Sequence, residues 1–120
     1  MKNSYKDLIV WQKAMELVVE VYRLTDSFPK SETYALSSQM RRCSVSIPSN
    51  IAEGCRRSTR KDYRQFLIVA FGSGSELETQ IEIAKRLSYG NKEAYDKADK
   101  LLDEIMRMLN KLISNLVSRE

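Results

Sequence analysis

Residues 39–54 read Gln-Met-Arg-Arg-Cys-Ser-Val-Ser-Ile-Pro-Ser-Asn-Ile-Ala-Glu-Gly, and the fold turns on how this stretch is read. Its periodicity is helical. Ser46, Asn50 and Gly54 step by four and share one face, while Ile47 and Ile51 line the adjacent one. Val45 and Ala52 add apolar surface. A helix interior disfavours proline by about 3 kcal/mol and glycine by about 1 kcal/mol relative to alanine. A helix that keeps Pro48, Asn50, Glu53 and Gly54 together therefore needs compensation from outside itself. A specific bundle core and a subunit contact are the expected sources.

Working outward, the same helix is predicted from about Glu32 to Cys55, kinked at Pro48 and ended with help from Gly54. Phe28-Pro29 breaks the chain before it, and Ser31 or a neighbour is expected to cap it. Upstream, a first helix is predicted from near Asp7 to near Ser27. It carries two apolar stripes, one of Leu8, Trp11, Met15, Val18 and Tyr22, the other of Val10, Ala14, Leu17, Val21 and Leu24. One stripe satisfies a bundle core; the second predicts a further contact surface. Downstream, Ser58 or Thr59 caps a third helix that reaches about Ser88, with Asp62 in its first turn. Phe66 to Phe71 is apolar nearly all round and predicts burial on every side. Small residues 72–75 permit close helix approach, and Leu77, Ile81, Ala84 and Leu87 complete a stripe. Gly90 and Asn91 mark a turn. A fourth helix from about Lys92 to near Ser118 holds Tyr95, Ala98, Leu102, Ile105, Leu109, Leu112 and Leu116 in heptad spacing. Residues 1–120 thus form one domain, an all-α, antiparallel up-down four-helix bundle.

The composition closes off several chemistries. The chain has no histidine, so Ser-His and Cys-His couples, His metal ligands and the Glu-x-x-His di-iron bundle are all excluded. Cys43 and Cys55 lie about 18 Å apart along one helix, too far for a disulfide, so free thiols and a reducing, cytoplasmic setting are expected. Nothing resembles a phosphate loop. The longest apolar run is too short to span a bilayer, and no membrane partner is expected. A net charge of +4, from 20 basic and 16 acidic residues, permits a nucleic-acid or other anionic partner without demanding one.

Two constellations remain. Asn50, with Ser46 and Glu53, is positioned to meet Ser73, Glu76 or Gln80 of the third helix, with Arg42 nearby; a buried amide needs such partners. The competing reading leaves Glu53 in solvent at the helix end. Arg56, Arg57, Arg60, Lys61 and Arg64 form the densest basic cluster, with only Asp62 against them, and Arg41 and Arg42 lie further back. Tyr63 and Tyr34 offer aromatic faces. Such a patch holds phosphates through forked guanidiniums; the competing reading is a solvated loop.

Asp7-Leu8 and Trp11-Gln12-Lys13-Ala14, Phe28-Pro29 with Glu32, Gln39 with Arg41-Arg42, Ser46 through Gly54, and Phe66-Leu67 with Ala70, Gly72-Ser73 and Glu76-Leu77 together resemble the 23S rRNA intervening-sequence protein family. The run Ser-Ile-Pro-Ser-Asn-Ile-Ala-Glu-Gly is the specific part, and the match covers about Asp7 to Leu116. The resemblance implies a four-helix bundle assembled as a ring-shaped homopentamer. It also implies kinship with the accessory variability proteins of diversity-generating retroelements, which bind nucleic acid and a reverse transcriptase through basic surfaces. No enzymatic activity and no cofactor are implied. The expectation is a non-enzymatic homo-oligomer that binds RNA or DNA through its basic surface; the alternative is a protein–protein adaptor or scaffold.

Overall fold

Four helices carry the structure: α1 (Ile9–Asp26), α2 (Leu36–Cys55), α3 (Arg60–Arg86) and α4 (Lys92–Val117). The computed structural model describes residues 4–117, and no strand occurs among them. Each helix packs on two neighbours, α1 and α3 both contacting α2 and α4. Short connections make consecutive helices antiparallel, so the all-α four-helix bundle expected from the sequence is the observed fold. It measures 46 × 26 × 24 Å.

In and just before α1 the two stripes differ in burial. Val10, Ala14, Leu17, Val21 and Leu24 are buried in the core. The other stripe is split: Leu8, Trp11 and Val18 are half-buried, with Leu8 and Trp11 packed against the core, while Met15 and Tyr22 are each 42% exposed, and Val19 beside them is 48% exposed. The helix begins later than Asp7 because a short 3-10 turn, Tyr5–Asp7, precedes it. The Ser4 hydroxyl accepts the Lys6 N–H at 3.1 Å, and the Ser4 N–H donates to the Asp7 carboxylate at 3.4 Å. This reciprocal cap holds the turn apart from the helix.

The start of α2 also differs from expectation. Lys30–Glu32 is a 3-10 turn, and the cap falls to Glu32, whose Oε1 accepts the Leu36 N–H at 3.2 Å. The helix then runs through Pro48 with Ile47 and Ile51 fully buried. Gly54 lies inside the helix and does not reverse it. A Cβ at this position would stand 2.9 Å from the Phe66 Cβ and 3.3 Å from the Tyr63 carbonyl oxygen. The glycine is there to let α3 approach, not to end α2.

Thr59 caps α3 as expected, its Oγ1 accepting the Asp62 N–H at 3.1 Å. The apolar run from Phe66 to Phe71 is not buried all round. Leu67 and Ala70 are fully buried, whereas Val69 is 45% exposed, because only two sides of α3 meet other helices. Leu87, placed in the buried stripe by its spacing, is the exposed C-cap residue. Gly74 is needed for packing, since a Cβ there would run into the Met106 thioether of α4; Gly72 faces open space. The helix ends in a Schellman motif. Ser88 takes a left-handed φ of 62°, its N–H donates to the Lys85 carbonyl at 3.0 Å, and the Tyr89 N–H donates to the Ala84 carbonyl at 3.0 Å. Asn91 Oδ1 then accepts the Ala94 N–H at 3.0 Å and starts α4. Tyr95, Ala98, Leu102, Ile105, Leu109 and Leu116 of α4 are buried, and Leu112 is half-buried. Ser118, the expected end of this helix, lies outside the described residues.

Candidate nucleic-acid interface

The up-down topology gathers the N-terminal 3-10 turn, the end of α2, the start of α3 and the end of α4 at one end of the bundle. Arg56, Arg57, Arg60 and Lys61 are all exposed there. The Arg56 guanidinium lies over the Tyr5 ring, 5.5 Å from its centroid. Arg57 is held by Glu53, Nη2 to Oε2 at 2.5 Å, and covers the Phe66 ring at 4.7 Å. Arg56, Arg60 and Lys61 make no ion pair with a carboxylate among the described residues.

Three of the seven cations singled out by sequence lie apart from this group. Arg64 turns inward, its Nε donating to the Ile113 carbonyl at 3.2 Å near the C-terminal end of α4, where the helix dipole favours a cation. Arg41 sits at the far end of α2, about 24 Å from Arg57 along the helix. There its Nε donates to Thr25 Oγ1 at 2.8 Å, its Nη2 pairs with Asp26 at 3.1 Å, and its guanidinium lies 4.7 Å from the Tyr22 ring centroid. Arg41 therefore ties α1 to α2 and is no part of the exposed patch. Arg42 is exposed on the α2–α3 side, remote from the loop.

The polar residues of the α2–α3 seam divide in a similar way. Ser46 Oγ and Ser73 Oγ lie 2.7 Å apart and join the two helices. Asn50 Nδ2 donates to the Ser46 carbonyl at 2.8 Å and to Ser46 Oγ at 3.0 Å. Glu53 does not join them: it is exposed and pairs with Arg57 one turn on. Glu76 lies on the exposed rim of a groove beside Cys43 and Arg42. Gln80 sits deeper, its Nε2 donating to Cys43 Sγ at 3.5 Å while its buried Oε1 has no protein partner. Burial, with Glu76 adding to it, raises the Cys43 thiol above its ordinary value, against an opposing hydrogen bond from Gln80.

A cleft of about 340 Å³ opens between the 3-10 turn and the start of α3, with Tyr5, Leu8, Cys55, Arg57, Arg60 and Tyr63 in its walls. Burial raises the Cys55 thiol. Burial, then Cys55, pushes the Tyr63 phenol up to about 12. Neither group is an activated nucleophile near neutral pH. Sequence reasoning passed over Tyr5 as a member of this end. The Ser-x-x-Asp spacing from Ser4 to Asp7 was the available signal that an ordered turn sits there. Among the described residues no group of three or more Cys, Asp or Glu side chains is placed to hold a metal ion. Nor is any helix among them long and apolar enough to cross a membrane.

Fold and site together define a four-helix bundle with a cationic, open end. Residues 6–111 match the model of the 23S rRNA-intervening sequence protein family, and the chain belongs to that family. It is similar to a crystal structure from Bacteroides thetaiotaomicron VPI-5482, a protein of unknown function from the S23 ribosomal protein family. The two are 26% identical with a TM-score of 0.78, over 88% of this chain and 98% of that one. Neither description names a catalytic activity. No curated protein matches the chain.

Proposed function

We propose that this chain is a non-enzymatic, cytoplasmic, homo-oligomeric bundle, a ring-shaped pentamer, that binds RNA or DNA through the cationic end. The observation that carries the reading is the set of exposed cations Arg56, Arg60 and Lys61, which no carboxylate among the described residues neutralises. Arg57 stands with them, tethered by Glu53. Unpaired guanidinium and ammonium groups gain from phosphate contacts through counterion release. A ring repeats the patch once per subunit, so a weak local field becomes a strong one. The exposed stripe of Met15, Val19 and Tyr22 on α1 supplies apolar surface for a neighbouring subunit.

Absolute mass by light scattering, with and without RNA, at low and moderate salt, tests both halves. The expected result is a mass near five chains that rises with RNA at low salt. A single-chain mass removes the assembly. Charge reversal of Arg56, Arg57, Arg60 and Lys61 to Glu is expected to abolish the RNA-dependent rise, and an unchanged RNA affinity removes the interface. The same apolar stripe also favours a second reading, an adaptor that docks a protein such as a reverse transcriptase. A five-chain mass indifferent to RNA, with binding to an acidic protein instead, selects it.

A further inference from the structure

The cleft beside the cations has a shape and lining that the charge alone does not require. Its floor is apolar and aromatic, made by Leu8, Tyr5 and the half-buried Tyr63 ring, and its rim carries Arg57 and Arg60. Outside the cleft, the Arg56 guanidinium lies 5.5 Å from the Tyr5 ring centroid and the Trp11 ring packs edge-on at 5.3 Å, so the Tyr5 ring is held in place. Gly54 keeps the floor open at the base, since the α2 backbone there lies close against Tyr63 with no side chain between. At about 340 Å³ the cleft matches the small end of ligand pockets, the size of one nucleotide rather than a groove for a helix.

A duplex presents phosphates on a convex ridge and hides its base faces in the stack. It can touch the rim cations but leaves the aromatic floor empty. An unpaired nucleotide offers both halves of the complement at once, a flat base for the rings and a phosphate for Arg57 and Arg60. We infer that this cleft receives one unstacked nucleotide, so that the protein prefers single-stranded segments or loops over duplex. The inference rests on the nucleic-acid reading above and specifies it. Base stacking on the cleft's tyrosine rings, Tyr5 above all, supplies the preference, and it tolerates any base because every base has an aromatic face.

The test measures binding of a fluorescent twelve-nucleotide oligouridine and of a twelve-pair RNA duplex by anisotropy, at moderate salt. The chains compared are the unaltered protein, Tyr5→Ala and Tyr5→Phe. The expected result is tighter binding of the single strand, a loss of about tenfold with Tyr5→Ala, no loss with Tyr5→Phe, and duplex binding insensitive to both. A second readout does not depend on how Tyr5→Ala folds. In a Cys43→Ser chain, uridine monophosphate should slow alkylation of Cys55, which lies in the cleft wall. Equal binding of strand and duplex, with Cys55 unprotected, overturns the cleft and leaves the cationic end intact as a phosphate surface. Failure of both nucleic acids to bind overturns the cleft and the nucleic-acid reading together.

Discussion

The two ends of this bundle are built from similar residues and left in opposite states. At the end holding the α1–α2 and α3–α4 connections, an aromatic cluster and two charged groups are tied up internally, although Tyr34, Lys30 and Lys92 stay exposed. Phe28 and Tyr89 pack with ring centroids 5.4 Å apart, the Tyr89 hydroxyl donates to Glu32 at 2.9 Å, and the Tyr95 hydroxyl donates to the Tyr89 carbonyl at 2.6 Å. Glu32 in turn caps α2, and Arg41 is locked between Thr25 and Asp26. At the other end Arg56, Arg60 and Lys61 lack carboxylate partners among the described residues, and a cleft stands beside them. A polar group paired within the chain serves the fold, and one left unpaired at a surface is available to something else. The first, closed end has a cleft of its own beside Tyr95 and Lys92, so what marks the open end is the density of its unpaired cations.

The largest expected effect tests that contrast directly. Phe28 is buried at the closed end, and Phe28→Ala should cost about 3–5 kcal/mol of stability. Arg60→Ala and Lys61→Ala at the open end should change stability by no more than about 0.5 kcal/mol each. Both cations sit in the first turn of α3, where the helix dipole disfavours them, so a slight gain is in order. Urea midpoints of the three variants decide the matter. A comparable loss at Arg60 or Lys61 would show that the open end is internal structure, and the contrast would break.

Gly54→Ala probes the packing beneath the cleft at the open end. The new methyl meets the Phe66 side chain and the Tyr63 backbone, and backbone cannot swing aside. Overpacking of this kind costs about 1–3 kcal/mol. A neutral result in thermal melts would mean that α2 and α3 can part, and that the cleft above them is not rigid.

Alkaline pH sharpens the comparison further, because each end has a phenol pushed far up by burial, with Tyr89 at the closed end also raised by its hydrogen bond to Glu32. Tyr63, at the open end, and Tyr95, at the closed end, are each pushed up to about 12, chiefly by burial. Unfolded tyrosine titrates near 10. Below that value both states are protonated and the stabilising contribution is complete. Above it the unfolded chain ionises first, so stability falls as pH rises from about 10 toward about 12. Tyr63→Phe should flatten part of that fall. Chemical denaturation at pH 8, 10 and 11 reads it, and an equal decline in the variant and the parent would refute the assignment.

The bundle itself was readable because helical period and burial are local properties of sequence. The inner stripe of α1 and the heptads of α4 both land in the core, and Thr59 and Asn91 cap as their positions suggest. The site was readable only in part. Spacing placed Ser46 and Asn50 on one face, since a period of four defines a face, and Ser46 meets Ser73 of α3 there while Asn50 bonds back to Ser46. It did not place Glu53, whose orientation depends on the competing i+4 partner Arg57, or Arg41, whose partners Thr25 and Asp26 come from another helix. Nor did it separate the two roles of glycine. Gly54 answers a close approach by a helix from later in the chain, which no local pattern encodes.

The same limit applies to the turn that closes α3, and it yields the smallest prediction. Sequence pointed to Gly90 as the terminator, and Gly90 does take a positive φ of 73°. The left-handed C′ position, however, belongs to Ser88 at φ 62°. A non-glycine residue there pays about 1 kcal/mol in steric cost that glycine avoids, partly offset by the greater freedom of glycine when unfolded. Ser88→Gly should therefore stabilise by about 0.5 kcal/mol, seen as a small rise in Tm. The Ser88 and Tyr89 N–H bonds to Lys85 and Ala84 are unaffected by the exchange, so a loss of stability could not be blamed on the motif. It would instead mean that the Ser88 side chain contributes to the closed end, and that this end is held together more tightly than its aromatic cluster alone accounts for.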